Sequence, residues 1–175
     1  MSGSIHHILS STLIALIPKK DEAESFHDFR PISLCNISFK IISKIIVERL
    51  KLTLASFLSK NQHAFLKGRN IFDAVAITQE SLFSMISRKM DAAIPKVDLH
   101  KAYNCLDWGF MRCLLAKIGL NSQSINWIMS CVENVHYSVI INGMPSHFFP
   151  TERGLRQGCP LSPLLFILAM NSLSL

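Results

Sequence analysis

Ile94-Pro95-Lys96-Val97-Asp98-Leu99-His100-Lys101-Ala102-Tyr103-Asn104 is the stretch on which the fold of this chain turns. Val97 and Leu99 flank Asp98 with the alternation of a strand whose apolar side chains pack on one face. Asp98 then projects from the other face, near the strand's end. Leu106 to Trp108 begins a helical pattern, so Lys101 to Asn104 must turn the chain. A carboxylate at a strand end, with an aromatic ring just beyond the turn, suits a metal site that also holds a ring or a sugar. The same residues also read as a solvated strand-end Asp followed by a core Tyr, and one motif does not separate the two.

A second stretch bears on that choice. Gly154-Leu155-Arg156-Gln157-Gly158-Cys159-Pro160-Leu161-Ser162-Pro163-Leu164-Leu165-Phe166 is a Gly/Pro-rich loop running into an apolar helix. Together with the Asp98 stretch, it resembles the reverse transcriptase of non-LTR (LINE-type) retrotransposons, the plant type in particular. Asp28-Phe29-Arg30-Pro31-Ile32-Ser33-Leu34-Cys35-Asn36, Gln62-His63-Ala64-Phe65-Leu66-Lys67-Gly68-Arg69 and Ile141-Asn142-Gly143 extend the resemblance. The matches keep the family's order and spacing over essentially the whole chain. Group II intron and telomerase relatives are the runners-up, but the Gly154 to Pro163 and Asp28 to Leu34 stretches look more LINE-like.

Composition agrees with a globular, nucleic-acid-facing protein. The chain has 175 residues, of which 49% are apolar, enough for one domain with a real core. Its net charge of +6 and pI near 9.2 favour an acidic partner, of which nucleic acid is the usual one. The basic residues are scattered, so charge alone also fits an ordinary basic soluble protein. The five cysteines form no C-x-x-C pair and leave an odd one over. They read as buried thiols in a reducing compartment, against a zinc site or a disulfide frame. No apolar run reaches the ~18 residues of a membrane span, and Leu9 to Pro18 lacks the preceding positive charge of a signal peptide. An intracellular location, nuclear or cytoplasmic, and no membrane partner are the expectations.

Taken in order, Met1 to Ser11 looks like a frayed start. Thr12 to Ile17 reads as a strand closed by Pro18 and the exposed Lys19 to Glu22 turn. Pro31 pushes Arg30 toward an extended conformation, so its guanidinium reaches out to phosphate, or pairs with Asp28 or Glu24. Ile37 to Leu58 is the clearest helix, with Phe39, Ile42, Ile45, Ile46, Leu50, Leu54, Phe57 and Leu58 on the buried side. Lys40, Lys44, Glu48 and Lys51 lie opposite. In Asn61 to Asn70, Lys67 and Arg69 around Gly68 suit a close approach to phosphate. Ile71 to Met90 is a second helix, burying Phe72, Val75, Ala76, Leu82, Phe83 and Ile86. Asp107 is a candidate N-cap for Trp108 to Ile118, with Gly119 as the stop. Ser122 or Ser124 opens the next helix. Tyr137 to Ile141 and Ser146 to Thr151 form a hairpin around Asn142-Gly143. Ser162-Pro163 opens a last helix. No internal repeat or linker divides the chain.

The resemblance implies an α+β fold, helix-rich in its first half. It would comprise fingers (about 1–92) and a partial palm (about 93–175) of a right-hand polymerase. It implies RNA-directed DNA polymerisation, with an RNA template, a DNA primer and deoxynucleoside triphosphates as partners. Two divalent ions, Mg²⁺ or Mn²⁺, would clamp the attacking 3′ oxygen and the leaving pyrophosphate. By resemblance Asp98 is the catalytic carboxylate and metal ligand, with the Leu99 carbonyl as a second contact. Tyr103 matches the ring that packs under the nucleotide sugar and rejects a 2′-hydroxyl. Gln157 matches the loop residue that contacts the incoming nucleotide, and Gly158 lets the backbone approach it. Arg30 faces the triphosphate or the template, and Lys67, Arg69 and Arg156 serve the nucleic acid.

Two departures from the family stand out. Asn104 occupies a position where the family usually has Asp, which keeps hydrogen-bonding capacity and loses charge. The family's paired Asp-Asp hairpin would follow the last helix, beyond Leu175. The chain is therefore expected to be a truncated fragment, inactive alone. A non-catalytic nucleic-acid-binding remnant and, further off, a helical protein-interaction module are the competing expectations. The oligomeric state is not legible in the sequence.

Overall fold

A computed structural model describes residues 7–54, 56–66, 68–91, 93–133 and 135–173. Its architecture is mixed. A small sheet carries one side, and a group of four helices forms the core. Helix α1 (His7–Ser10) is one turn, which gives order to part of the expected frayed start. Strand β1 (Thr12–Pro18) pairs antiparallel with β2 (Phe29–Cys35) along its whole length, from Thr12 opposite Cys35 to Pro18 opposite Phe29. β1 also pairs in parallel with β3 (His136–Ile141), setting Thr12, Leu13 and Ile14 opposite Tyr137, Ser138 and Val139. The strand order is β2-β1-β3, continued beyond β3 by the short strand β4 (Met144–Pro145).

The Asn142-Gly143 hairpin forms as the sequence requires. Asn142 and Gly143 take φ of 50° and 81°, the paired left-handed conformations of a type I′ turn. The returning strand is broken, however. β4 (Met144–Pro145) pairs with Ile140 and Ile141, and β5 (Phe149–Pro150) pairs with His136 and Tyr137. Between them the Ser146 amide donates to the Val139 carbonyl at 2.9 Å and the Ser146 hydroxyl accepts from the Val139 amide at 3.0 Å, so a side chain supplies half of the pairing where the strand is interrupted.

Helix α2 (Ile37–Leu54) buries Phe39, Ser43, Val47, Leu50 and Leu54 at steps of three and four. The buried stripe is rotated from the expected one. Ile45 and Phe57 are exposed, and Ser43 and Val47 lie inside. Helices α5 (Trp108–Lys117), α6 (Ser122–Ser130) and α7 (Ser162–Leu173) complete the core, with Met111, Leu115, Met129, Leu161 and Leu165 among its fully buried side chains. Local chemistry sets the helix ends. Asp107 Oδ1 accepts from the Phe110 amide at 2.7 Å, and Asn121 Oδ1 accepts from Ser124 at 2.8 Å. Gly119, at φ 92°, stops α5. Arg112 grips Glu133 with Nε and Nη2 at 2.8 and 2.6 Å, tying α5 to the end of α6. Asn171 of α7 accepts from the Ser59 amide at 2.8 Å and donates to the Phe57 carbonyl, so α7 holds the turn after α2.

Three expectations are corrected. Residues 93–99 form no strand. A strand exists only where a neighbour completes its ladder, and none of the described residues does so. Helix α3 (Ile71–Ser87) forms, capped by Asn70, but buries none of its residues. Phe72, Val75, Phe83 and Ile86 are exposed because no layer of the described residues lies against them. The thiols also divide: Cys35, Cys131 and Cys159 are buried, whereas Cys105 and Cys113 are exposed, and all five are free. Among the described residues, no helix is long and apolar enough to cross a membrane.

Candidate functional site

The turn that carries Tyr103 is built by the Gly154 loop. Lys101 adopts φ 49°, a left-handed conformation that reverses the chain into α4 (Ala102–Cys105), a single helical turn. That turn has no long-range helix of its own to fix it. The loop supplies the fixing. The Leu155 amide donates to the Tyr103 carbonyl at 2.7 Å, and the Gly154 amide donates to the Leu106 carbonyl at 2.8 Å. Trp108 Nε1 donates back to the Gly154 carbonyl at 2.8 Å. Gly154 is at φ 87°, and a Cβ there would lie 2.9 Å from the backbone of both Tyr103 and Asn104. Only glycine permits this contact.

The other side of the loop is pinned to the sheet. The Ser33 amide of β2 donates to the Gln157 carbonyl at 2.9 Å. At Gly158, φ 103°, a Cβ would come within 2.8 Å of the Ser33 carbonyl oxygen. Gly154 and Gly158 thus serve close packing of the loop on α4 and on β2. The expectation had the Gly158 backbone approaching a ligand, and its close approach in the structure is to the Ser33 backbone.

These contacts bring distant residues into one cleft. Val97, Asp98, Leu99, Lys101, Ala102, Tyr103, Gln157, Phe166 and Met170 line an open cavity of about 400 Å³. Asp98 and Gln157 therefore face a common space. Tyr103 stacks on Phe166 of α7, with ring centroids 4.6 Å apart and planes at 23°. Burial raises the Tyr103 phenol above its ordinary pKa. Gln157 also borders a second, smaller cavity of about 190 Å³ with Ser33, Asn104, Tyr137 and Arg153. Asn104 lies on that rear side, away from the Asp98 cleft.

The cations fall into different environments. Arg30 is exposed on β2, and no ion pair holds it among the described residues; Asp28 is engaged instead by Lys20 at 3.2 Å. Arg69 is committed to structure, because its Nη1 donates to the carbonyls of Ser59 and Gln62. Arg156 is only 4% exposed, with its guanidinium 4.2 Å over the Phe39 ring and Nη1 3.6 Å from Cys35 Sγ. The expectation that Arg156 meets nucleic acid from the surface is corrected: the loop's packing turns it inward, where the ring face receives its charge. Lys67 lies outside the described residues.

As a metal centre the cleft is incomplete. Among the described residues, no three His, Cys, Asp or Glu side chains gather where they could hold an ion. Asp98 is the one carboxylate that lines the cleft among the described residues, and one carboxylate falls short of the near-octahedral shell that Mg²⁺ demands. Sequence reasoning missed Lys101, Phe166 and Met170 as cleft residues. The spacing of Phe166 and Met170 on one face of an otherwise buried helix was the available signal for two of them.

Comparison with known proteins identifies the family and the fold. A family model for reverse transcriptase (RNA-dependent DNA polymerase) matches residues 17–174. The Transposon TX1 uncharacterized 149 kDa protein of Xenopus laevis is 30% identical over 91% of this chain. The Pol polyprotein of the type-2 retrotransposable element R2DM of Drosophila melanogaster is 27% identical over 98% of it. The chain spans 12% and 16% of the length of these two relatives. In structure it resembles an apo telomerase from Candida tropicalis, with a TM-score of 0.61 at 17% identity, over 96% of this chain and 40% of that one. The shared fold is that of a reverse-transcriptase-like polymerase. With non-LTR retrotransposon proteins as its sequence relatives, the chain belongs to the reverse transcriptase family.

Proposed function

We propose that this chain is the nucleotide-selecting part of the RNA-directed DNA polymerase of a LINE-type element. The observation that carries the reading is the convergence of Asp98, Tyr103 and Gln157 on one cleft, although the chain between them builds two helices and a hairpin. In this reading an incoming deoxynucleoside triphosphate lies in the cleft, its sugar against Tyr103 and its base edge or sugar reached by Gln157. Arg30, extended on β2, offers a guanidinium fork to phosphate. A divalent ion, Mg²⁺ or Mn²⁺, would supply charge neutralisation for phosphoryl transfer. Asp98 would be one of its carboxylates, and the others would come from outside these 175 residues. Residues 1–92 would act as fingers and 93–175 as part of the palm, working on RNA inside the cell.

The single carboxylate favours a second reading for the chain by itself: it binds nucleotide and nucleic acid without doing chemistry. One experiment addresses both. Binding of dATP with Mn²⁺ is measured by equilibrium dialysis for the chain and for Gln157→Ala and Asp98→Ala. The proposal expects both variants to weaken binding. Equal affinity in all three proteins would remove the cleft as the nucleotide site.

A further inference from the structure

Phe166 enters none of the roles derived so far, yet it is the side chain in face-to-face contact with Tyr103. We infer that Phe166 is a positioning residue for sugar selection, holding the Tyr103 ring where a 2′-hydroxyl would have to sit. The inference rests on the proposed nucleotide cleft and deepens it.

The two residues differ in how firmly their backbones are held. Phe166 stands on α7, where Leu164, Leu165, Ile167, Leu168 and Ala169 are all buried, so its Cα is fixed from several directions. Tyr103 stands on one helical turn whose backbone is held by Leu155 and Gly154. Those contacts fix where the ring begins and leave its rotation about the Cα–Cβ and Cβ–Cγ bonds open. Among the described residues the Tyr103 hydroxyl makes no hydrogen bond, so nothing at the ring's tip sets the rotation. The stack on Phe166 does. At 4.6 Å and 23° it is an offset aromatic pair, the geometry in which two quadrupoles attract. Met170 lies on the same face of α7 and borders the same cleft.

Steric rejection of a hydroxyl works only if the rejecting group cannot step aside. A ring free to rotate yields to the 2′ oxygen and admits a ribonucleotide; a stacked ring does not. Selectivity should therefore depend on Phe166 even where affinity for the deoxynucleotide does not.

The test measures binding of dATP and ATP, each with Mn²⁺, to the full chain by equilibrium dialysis. Phe166→Leu removes the ring at similar volume and keeps the core filled; Phe166→Tyr keeps the ring. The unaltered chain should prefer dATP, and Tyr103→Ala should lose that preference. Phe166→Leu should lower the preference by about three- to tenfold through tighter ATP binding, with dATP little changed. Phe166→Tyr should retain it. In a Tyr137→Phe background, where Tyr103 is the one remaining phenol, absorbance titration should move toward the ordinary value in Phe166→Leu, as the freed ring gains solvent. Full preference in Phe166→Leu, or equal loss of both nucleotides, would overturn the role of Phe166 alone. No dATP preference in the unaltered chain would overturn the cleft reading and this inference with it.

Discussion

The amide of Leu155 donates to the carbonyl of Tyr103 at 2.7 Å, and the neighbouring Gly154 lies so close that no side chain fits between them. This contact joins the Gly/Pro-rich loop to the turn after Asp98, and it makes one cleft of two separate motifs. Gly154→Ala should therefore be destabilising twice over. A left-handed φ alone costs a non-glycine residue about 1–3 kcal/mol, and the 2.9 Å backbone contacts add to that. Gly119→Ala is the control, with φ 92° and nothing within 4 Å of its Cβ. Urea midpoints should fall further for Gly154→Ala than for Gly119→Ala. Equal shifts would show that the loop does not press on the Tyr103 turn.

Alkaline pH should destabilise the protein through its interior. Burial pushes the Cys131 thiol from 9.0 up to about 12, and burial also raises the Cys159 thiol and the Tyr137 phenol. Each group is held neutral when folded and ionises more readily when unfolded. The contribution of Cys131 is complete below its unfolded value and is lost as pH rises through about 9 to 12, and those of Cys159 and Tyr137 are lost in the same direction. With reductant present, the urea midpoint should drop between pH 8 and pH 10.5. The drop should be smaller in Cys131→Ala, and an unchanged drop would exclude that thiol as a source.

Local signals in the sequence were legible and distant ones were not. Asp107, Gly119 and Asn142-Gly143 act on their own neighbours, so the cap, the stop and the hairpin follow from residue type. The strand expected at Asp98 needs a partner ladder, and the sequence of 93–99 cannot state whether one is present. Periodicity located α3 but could not say that its Phe72 and Phe83 side would lack a covering layer among the described residues. The family resemblance assigns Arg156 to the nucleic acid; only the tertiary fold brings the Phe39 ring beneath it. Gly158 read as a ligand contact for a similar reason. Its close neighbour is Ser33, on a strand far away in sequence.

Two arginines should separate binding from folding. Arg30 is exposed and has no ion-pair partner among the described residues, so Arg30→Ala should weaken RNA binding with little effect on stability. The slope of log affinity against log salt should become shallower by about 0.7–0.9, the equivalent of one lost phosphate contact. Arg69 holds the Ser59 and Gln62 carbonyls, and Arg69→Ala should instead lower the thermal midpoint. Fluorescence anisotropy with a labelled RNA–DNA hybrid at several salt concentrations, beside melting curves, gives both readouts. A salt-insensitive affinity would favour the protein-interaction reading.

These 175 residues by themselves should not extend a primer. Two-ion nucleotidyl transfer requires ligands enough to seat both cations, and among the described residues the cleft offers one carboxylate, Asp98. An ion held so loosely neither fixes the 3′ oxygen nor stabilises charge building on the phosphate, and positioning and charge stabilisation are most of what such an enzyme contributes. The measurement is primer extension on an RNA template with Mg²⁺ or Mn²⁺. It compares this chain, its Asp98→Ala variant, and a longer polymerase in which the family's paired Asp hairpin follows α7. Activity should appear only in the longer protein, and Asp98→Ala there should lower the rate by about a hundredfold or more. Extension by the 175-residue chain that disappears in Asp98→Ala would show that one carboxylate suffices, and the argument from ligand number would be wrong.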